Sequence, residues 1–164
     1  MSDNISIEEE LVSKLKNCGF HLSAAESCTG GMLISGIIGV SGASDVIEES
    51  YITYSDRVKH KLLGVSEETL KKYTAVSAET ADEMLTGCAE RSGSECVISV
   101  TGYAGPSAGD DGTPAGTVYI GCKVLDSKEV EKYHFDGDRQ SVREQASKEA
   151  VKKMIKMLDT YKHE

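Results

Sequence analysis

The chain has no tryptophan, two phenylalanines and two prolines among 164 residues. So little proline leaves no proline-rich linker or polyproline segment. No apolar stretch is long enough to span a bilayer. The opening "MSDNISIEEELVSKL" is acidic and amphipathic, unlike the basic start and apolar run of a signal peptide. The expected location is therefore the cytoplasm, away from any membrane. Positive charge is scarce as well. Eighteen Lys and Arg face 27 Asp and Glu, a net charge of −9. Such a chain repels phosphate backbones, which excludes a general nucleic-acid or anionic-membrane binder. A local basic pocket for one small anion stays open. The five cysteines, Cys18, Cys28, Cys88, Cys96 and Cys122, are odd in number, widely spaced and form no CxxC. They read as free thiols, not as a disulfide framework or zinc site. No metal-ligand cluster is visible, and neither metal nor cofactor is expected.

What is present is an ordinary globular composition, 39% hydrophobic and 27% charged. The length suits one domain, residues 1–164, with a substantial core. Ser6 and Glu9 form a capping box before "IEEELVSKLKNC", and Gly19 can end that helix. "FHLSAAE" reads as a short strand. An apolar helix from about Gly30 to Gly39 should be buried. "VIEESYITY" (46–54) is strand-like. Short helices follow in "SDRVKHKLLG" and "SEETLKKY", and Ser77 caps a longer one that Gly93 closes. "CVISVTG" is a buried strand, and "TVYIGCKV" with "EVEKYHF" makes a hairpin around Asp126, Ser127 and Lys128. A terminal helix runs from Arg139 to about Tyr161. Alternating helices and strands, then a hairpin, predict a three-layer α/β/α domain with a mixed sheet. The one long irregular stretch, Gly102 to Gly116, is of a length that often carries function.

Four segments could carry chemistry. In "AAESCTGGMLISGIIG" (24–39), Ser27, Cys28 and Thr29 sit where a strand turns into a helix. Amides there are unsatisfied and favour negative charge. Ser27 could attack an electrophile if a base takes its proton, and equally Ser27 or Thr29 could be a helix cap. The pattern is neither a GxSxG elbow nor a Walker A loop. Cys28 is a rival nucleophile, but His21, His60, His134 and His163 sit in no motif that would supply its base, so Ser27 ranks above it. In "TYSDRVKHK" (53–61), Tyr54 lies near a strand end and Lys59 and Lys61 on the next helix; a desolvated lysine becomes a general base. Lysines on a short helix are otherwise usually solvated. In "SVTGYAGPSAGDDGTPAGTV" (99–118), glycines permit close approach of a ligand to the backbone, or make an ordinary flexible loop. In "DGDRQSVREQA" (136–146), Arg139 and Arg143 share a helix face and could clamp a phosphate, or pair with surface acids.

Taken together and in this order, "AESCTGG", "GASDVIEESYITYSDRVKHKLLGV", "AVSAETADEM", "SVTGYAGP", "PAGTVYIG" and "GDRQSVREQA" resemble the CinA C-terminal-domain family. They cover about residues 22 to 150. Its stand-alone members are nicotinamide-nucleotide amidohydrolases, also called NMN deamidases. The resemblance implies hydrolysis of the carboxamide of nicotinamide mononucleotide to nicotinate mononucleotide and ammonia. It maps the nucleophile to Ser27, the assisting tyrosine and lysine to Tyr54 and Lys59, and another active-site serine to Ser44. It implies substrate binding by Thr29, Gly30, Gly31, Thr101, Gly102, Gly105 and an arginine, Arg139 or Arg143. The expected oxyanion donors are the helix-start amides near Thr29 to Gly31. The chain departs from the family pattern after "AGP", where a glycine pair and Lys-Pro-Val-Gly are replaced by "SAG" and "TPAG". Larger members carry an N-terminal molybdopterin-binding-like domain, for which 164 residues leave no room. Self-association, as a homodimer, is expected from surplus apolar surface. Two other readings stand beside this one: a non-catalytic pyridine-nucleotide-binding module, and a Ser-Lys hydrolase of esters or peptides.

Overall fold

The computed structural model describes residues 4–161. His163 lies outside them. Five strands form one mixed sheet, in the order β2-β1-β3-β4-β5. β1 (Leu22–Glu26) pairs in parallel with both β2 (Ile47–Ile52) and β3 (Cys96–Gly102). β4 (Thr117–Val124) and β5 (Ser127–His134) continue antiparallel from β3. The hairpin turns at Leu125 and Asp126, so Ser127 and Lys128 are already strand.

Helices cover both faces. α1 (Ile7–Cys18), α2 (Met32–Ile38) and α6 (Arg139–Tyr161) pack together on one side. Their core joins Leu11, Leu15, Ile37, Val142 and Met154 to the strand residues Ile98 and Ile120. α3 (Asp56–Leu63), α4 (Glu67–Tyr73) and α5 (Ala78–Ser92) lie on the other, where Met84 and Leu85 meet Ala25 and Val97. β1 is buried along its whole length, as a parallel strand covered on both faces must be. The result is the expected three-layer α/β/α arrangement.

The helix punctuation follows local chemistry. Ser6 and Glu9 complete a capping box, and Ser55, Ser66 and Ser77 cap α3, α4 and α5 through their hydroxyls. Gly19, Gly64 and Gly93 end their helices in the left-handed conformation. One expectation fails. α2 buries only Leu33 and Ile37, and Ile38 is 58% exposed. Its seven residues pack against α1, α6 and the short turn at 43–45, which cover the apolar run on one side alone.

This topology places a crevice. The chain leaves β1 toward β2 over one face, through α2. It returns past β1 to β3 over the other face, through α3 to α5. Connections diverging to opposite faces open a gap outside the carboxyl ends of the strands, the usual ligand position in open α/β sheets.

Candidate active site

At that crevice lies a cleft of about 430 Å³, lined among others by Ser27, Tyr54, Lys59, Thr101, Tyr103 and Arg139. Ser27 follows β1, Tyr54 follows β2, and Thr101 is the last residue but one of β3. Residues from four separated segments of sequence therefore meet at one end of the sheet.

Lys59 is the unusual member. Ser55 starts α3, and Lys59 stands one turn into it, 1% exposed. Its Nζ lies 3.0 Å from Ser27 Oγ, 2.9 Å from the Thr53 carbonyl oxygen and 3.1 Å from that of Tyr54. Among the described residues no carboxylate forms an ion pair with it. Burial pushes its pKa below the ordinary 10.5, against a smaller opposing pull from Asp56. Three acceptors suit an ammonium. Once deprotonated, the amine gives two N–H groups to the two carbonyls and turns its lone pair to the Ser27 hydroxyl. That is the geometry of a base set against a nucleophile.

The loop carrying Ser27 is held from two sides. Glu26, the last residue of β1, is fully buried. Its Oε1 accepts from Thr29 Oγ1 at 2.6 Å and from the amides of Gly31 and Leu33 at 3.2 and 3.0 Å. Its Oε2 accepts from the Ile34 amide at 3.1 Å. From the other side, Arg143 donates through Nε to the Cys28 carbonyl and through Nη2 to that of Thr29, both at 3.0 Å. Gly30 and Gly31, at φ +56° and +98°, supply the left-handed backbone this turn requires.

These contacts reassign several expected roles. The Thr29 hydroxyl and the Gly31 amide are occupied by Glu26, and the Gly30 amide donates to the Ser27 carbonyl at 3.1 Å. The helix-start amides from Gly30 onward are thus taken by the protein. On this loop, the amides of Cys28 and Thr29 are the ones that donate to no carbonyl or carboxylate among the described residues. Arg143 braces the loop, whereas Arg139 reaches the cleft. Arg139 Nη1 donates to the Gly105 carbonyl at 2.7 Å and Nη2 to the Tyr54 hydroxyl at 3.2 Å.

Tyr54 therefore contributes two groups in two directions. Its carbonyl receives Lys59, and its phenol, on a residue 62% exposed, stands with Arg139 at the cleft wall. The Thr101 hydroxyl is spent on the Ala75 carbonyl at 2.6 Å, so Thr101 shapes the wall. Gly102 has no room for a side chain: a Cβ there would sit 2.7 Å from a Val118 methyl carbon. Cys28 is buried, and burial pushes its thiol up to about 12, which keeps it protonated at neutral pH.

Ser44 does not join the cluster. It is exposed on a short 3-10 turn before β2, where the Leu22 amide bonds to the Val46 carbonyl. That is the amino end of β1 and β2, a full strand length from Ser27. Sequence reasoning also missed Glu26, the Thr53 carbonyl and Tyr103. A glutamate closing the otherwise apolar "LSAAE" was the one available signal, since a carboxylate in a strand buried on both faces must find donors.

The sequence model of one family, described as the CinA C-terminal domain, matches residues 4–158. A nicotinamide-nucleotide amidohydrolase, PncC, of Enterobacter agglomerans is 41% identical over 139 residues, 84% of this chain and 85% of that protein. A CinA-like protein of Kosmotoga olearia is 45% identical over 142 residues, 87% of this chain but 34% of its own length. The chain spans between about a third and two-fifths of several curated relatives of this longer kind. Among solved structures, a CinA superfamily protein of Klebsiella pneumoniae superposes with a TM-score of 0.92 at 34% identity, covering 94% of this chain and 96% of that one. A competence/damage inducible protein of Agrobacterium tumefaciens gives 0.85 at 32% identity, covering 97% and 99%. With six α-helices and a mixed five-stranded sheet among its described residues, and with these relatives, the chain belongs to the CinA C-terminal domain family.

Proposed function

We propose that the protein is an amidohydrolase that converts nicotinamide mononucleotide to nicotinate mononucleotide and ammonia. The observation that carries the reading is the 3.0 Å contact between the buried Lys59 amine and Ser27 Oγ. The nicotinamide-nucleotide amidohydrolase relative from Enterobacter agglomerans, matched over 85% of its length, supports the substrate.

Neutral Lys59 takes the Ser27 proton as Oγ bonds to the carboxamide carbon. The carbonyl electron pair moves to oxygen, which the free amides of Cys28 and Thr29 receive. When the C–N bond breaks, the Lys59 ammonium gives its proton to the leaving nitrogen and ammonia departs. An acyl ester on Ser27 remains. Water then attacks, Lys59 removes its proton, and the carboxylate product leaves as Ser27 regains a proton. Tyr54 assists through its carbonyl, which with that of Thr53 fixes the direction of the amine. Arg139 supplies the cationic group for the substrate phosphate, held ready by Gly105 and the Tyr54 phenol. The glycines at 102 and 105 let the wall approach the ligand closely.

The test is incubation of purified protein with nicotinamide mononucleotide, following ammonia and the acid product together. The proposal expects both in equal amounts, and their loss in Ser27→Ala. Tight binding without product would support the binding module instead, and hydrolysis of simple esters with the nucleotide untouched would support a general Ser-Lys hydrolase. A homodimer in the cytoplasm is part of the same proposal, tested by light scattering of the purified protein and by cell fractionation.

A further inference from the structure

We infer that Glu26 is a positioning residue for the nucleophile, dictating which backbone amides remain available beside Ser27. The inference rests on Ser27 being the nucleophile. A helix start offers several unpaired amides that compete for any nearby acceptor. Here the amides of Gly31, Leu33 and Ile34 all point at one carboxylate, which also takes the Thr29 hydroxyl. Four donors satisfy the buried Glu26 without any lysine or arginine ion pair among the described residues. Arg143 meanwhile pins the carbonyls of Cys28 and Thr29 from the opposite side. Glu26 thus holds the Thr29 hydroxyl, the Gly31 amide and the first turn of α2, while Arg143 holds the carbonyls of Cys28 and Thr29. What this leaves unspent are the amides of Cys28 and Thr29, directly after the nucleophile.

A second carboxylate gives a built-in contrast. Glu8 is also buried and also lies beside α2: its Oε1 would be 3.7 Å from a Cβ at Gly36. It bonds to Lys148 and has no hydrogen bond to the Ser27–Gly31 loop among the described residues. A carboxylate that merely steadies α2 behaves like Glu8. A carboxylate that sets the loop does not.

The experiment compares Glu26→Gln, Glu8→Gln, Thr29→Val and Thr29→Ser. Two readouts apply: steady-state deamidation of nicotinamide mononucleotide, and the rate at which a fluorophosphonate probe labels Ser27. Glu26→Gln keeps the shape but sets an amide N–H₂ against a backbone N–H. Displacement of the loop by a fraction of an ångström to an ångström lowers kcat about 10- to 100-fold with KM within about threefold. Labelling slows in parallel. Thr29→Val shows a weaker form of the same loss, Thr29→Ser restores it, and Glu8→Gln stays within about twofold of wild type. The Thr29 pair keeps the test valid if Glu26→Gln does not fold. A wild type that labels at Ser27 but leaves the nucleotide intact ends the proposed substrate while labelling still decides the role of Glu26. Wild-type kcat and labelling in Glu26→Gln, an equal loss in Glu8→Gln, a change confined to KM, or a wild type that neither turns over nor labels would each overturn the inference.

Discussion

Among the described residues two lysines are buried, and they stand in opposite surroundings. Lys59 is 1% exposed at the carboxyl ends of the parallel strands, with two carbonyls and one hydroxyl around its amine. Lys153 is 7% exposed in the groove between β5 and α6, with Glu129 and Glu131 each 3.1 Å away. Burial drives both toward neutrality. At Lys59 little opposes it, and the pKa falls below 10.5. At Lys153 the two glutamates outweigh it, and the pKa rises above 10.5. The same side chain, buried in both places, has only neutral acceptors around it in one and two carboxylates in the other. Desolvation alone does not lower a lysine's pKa; desolvation without a counter-charge does.

The comparison is broken most severely at the cleft. Ser27→Ala is expected to lower kcat by at least about a thousandfold while the protein stays folded. Lys59→Met should cost about 10²- to 10⁴-fold, the range for a lost general base. Steady-state ammonia release measures both. If the contrast holds, Lys153→Met changes kcat by less than about twofold. Its glutamate partners are 65% and 57% exposed and are rehydrated when the lysine goes, so stability changes by no more than about 1 kcal/mol in a denaturant titration.

Arg139→Ala should raise KM for the phosphorylated nucleotide about tenfold, with little effect on the corresponding riboside, because the lost group is a charge-assisted phosphate donor. A pH series separates the two lysines through stability. Unfolded Lys59 holds its proton up to 10.5, whereas the folded amine gives it up earlier. Between those two values the unfolded state binds more protons, so wild type gains stability relative to Lys59→Met as pH rises toward 10.5. The Lys153 contribution runs the other way. It is fully present below 10.5 and is lost only as pH climbs through its raised folded value. The smallest effect belongs to Ser44→Ala, which should leave kcat and KM within about twofold, since Ser44 sits at the far end of β2.

Much of the fold was legible because its signals are local. Caps such as Ser6 and Ser77 and terminators such as Gly19 and Gly93 act within a few residues of themselves. The Ser27–Lys59 pair was legible only through resemblance, since 32 residues separate partners that the sheet brings together. Less was readable where a side chain faces two ways. Tyr54 offers a carbonyl to Lys59 and a phenol to Arg139, and no periodicity distinguishes them. Arg139 and Arg143 share a helix face in sequence, yet one meets the cleft and the other the back of the loop. Glu26 was hidden because a glutamate at a strand end reads as exposed until the helix amides that claim it are in place.

Direct titration of the lysine amines by NMR, with Lys59→Met and Lys153→Met to assign the two resonances, puts the central contrast to its plainest test. The account predicts that Lys59 titrates below 10.5, at the pH of the acid limb of kcat/KM, and that Lys153 titrates above 10.5. A Lys59 amine that keeps its proton to 10.5 or beyond would contradict it.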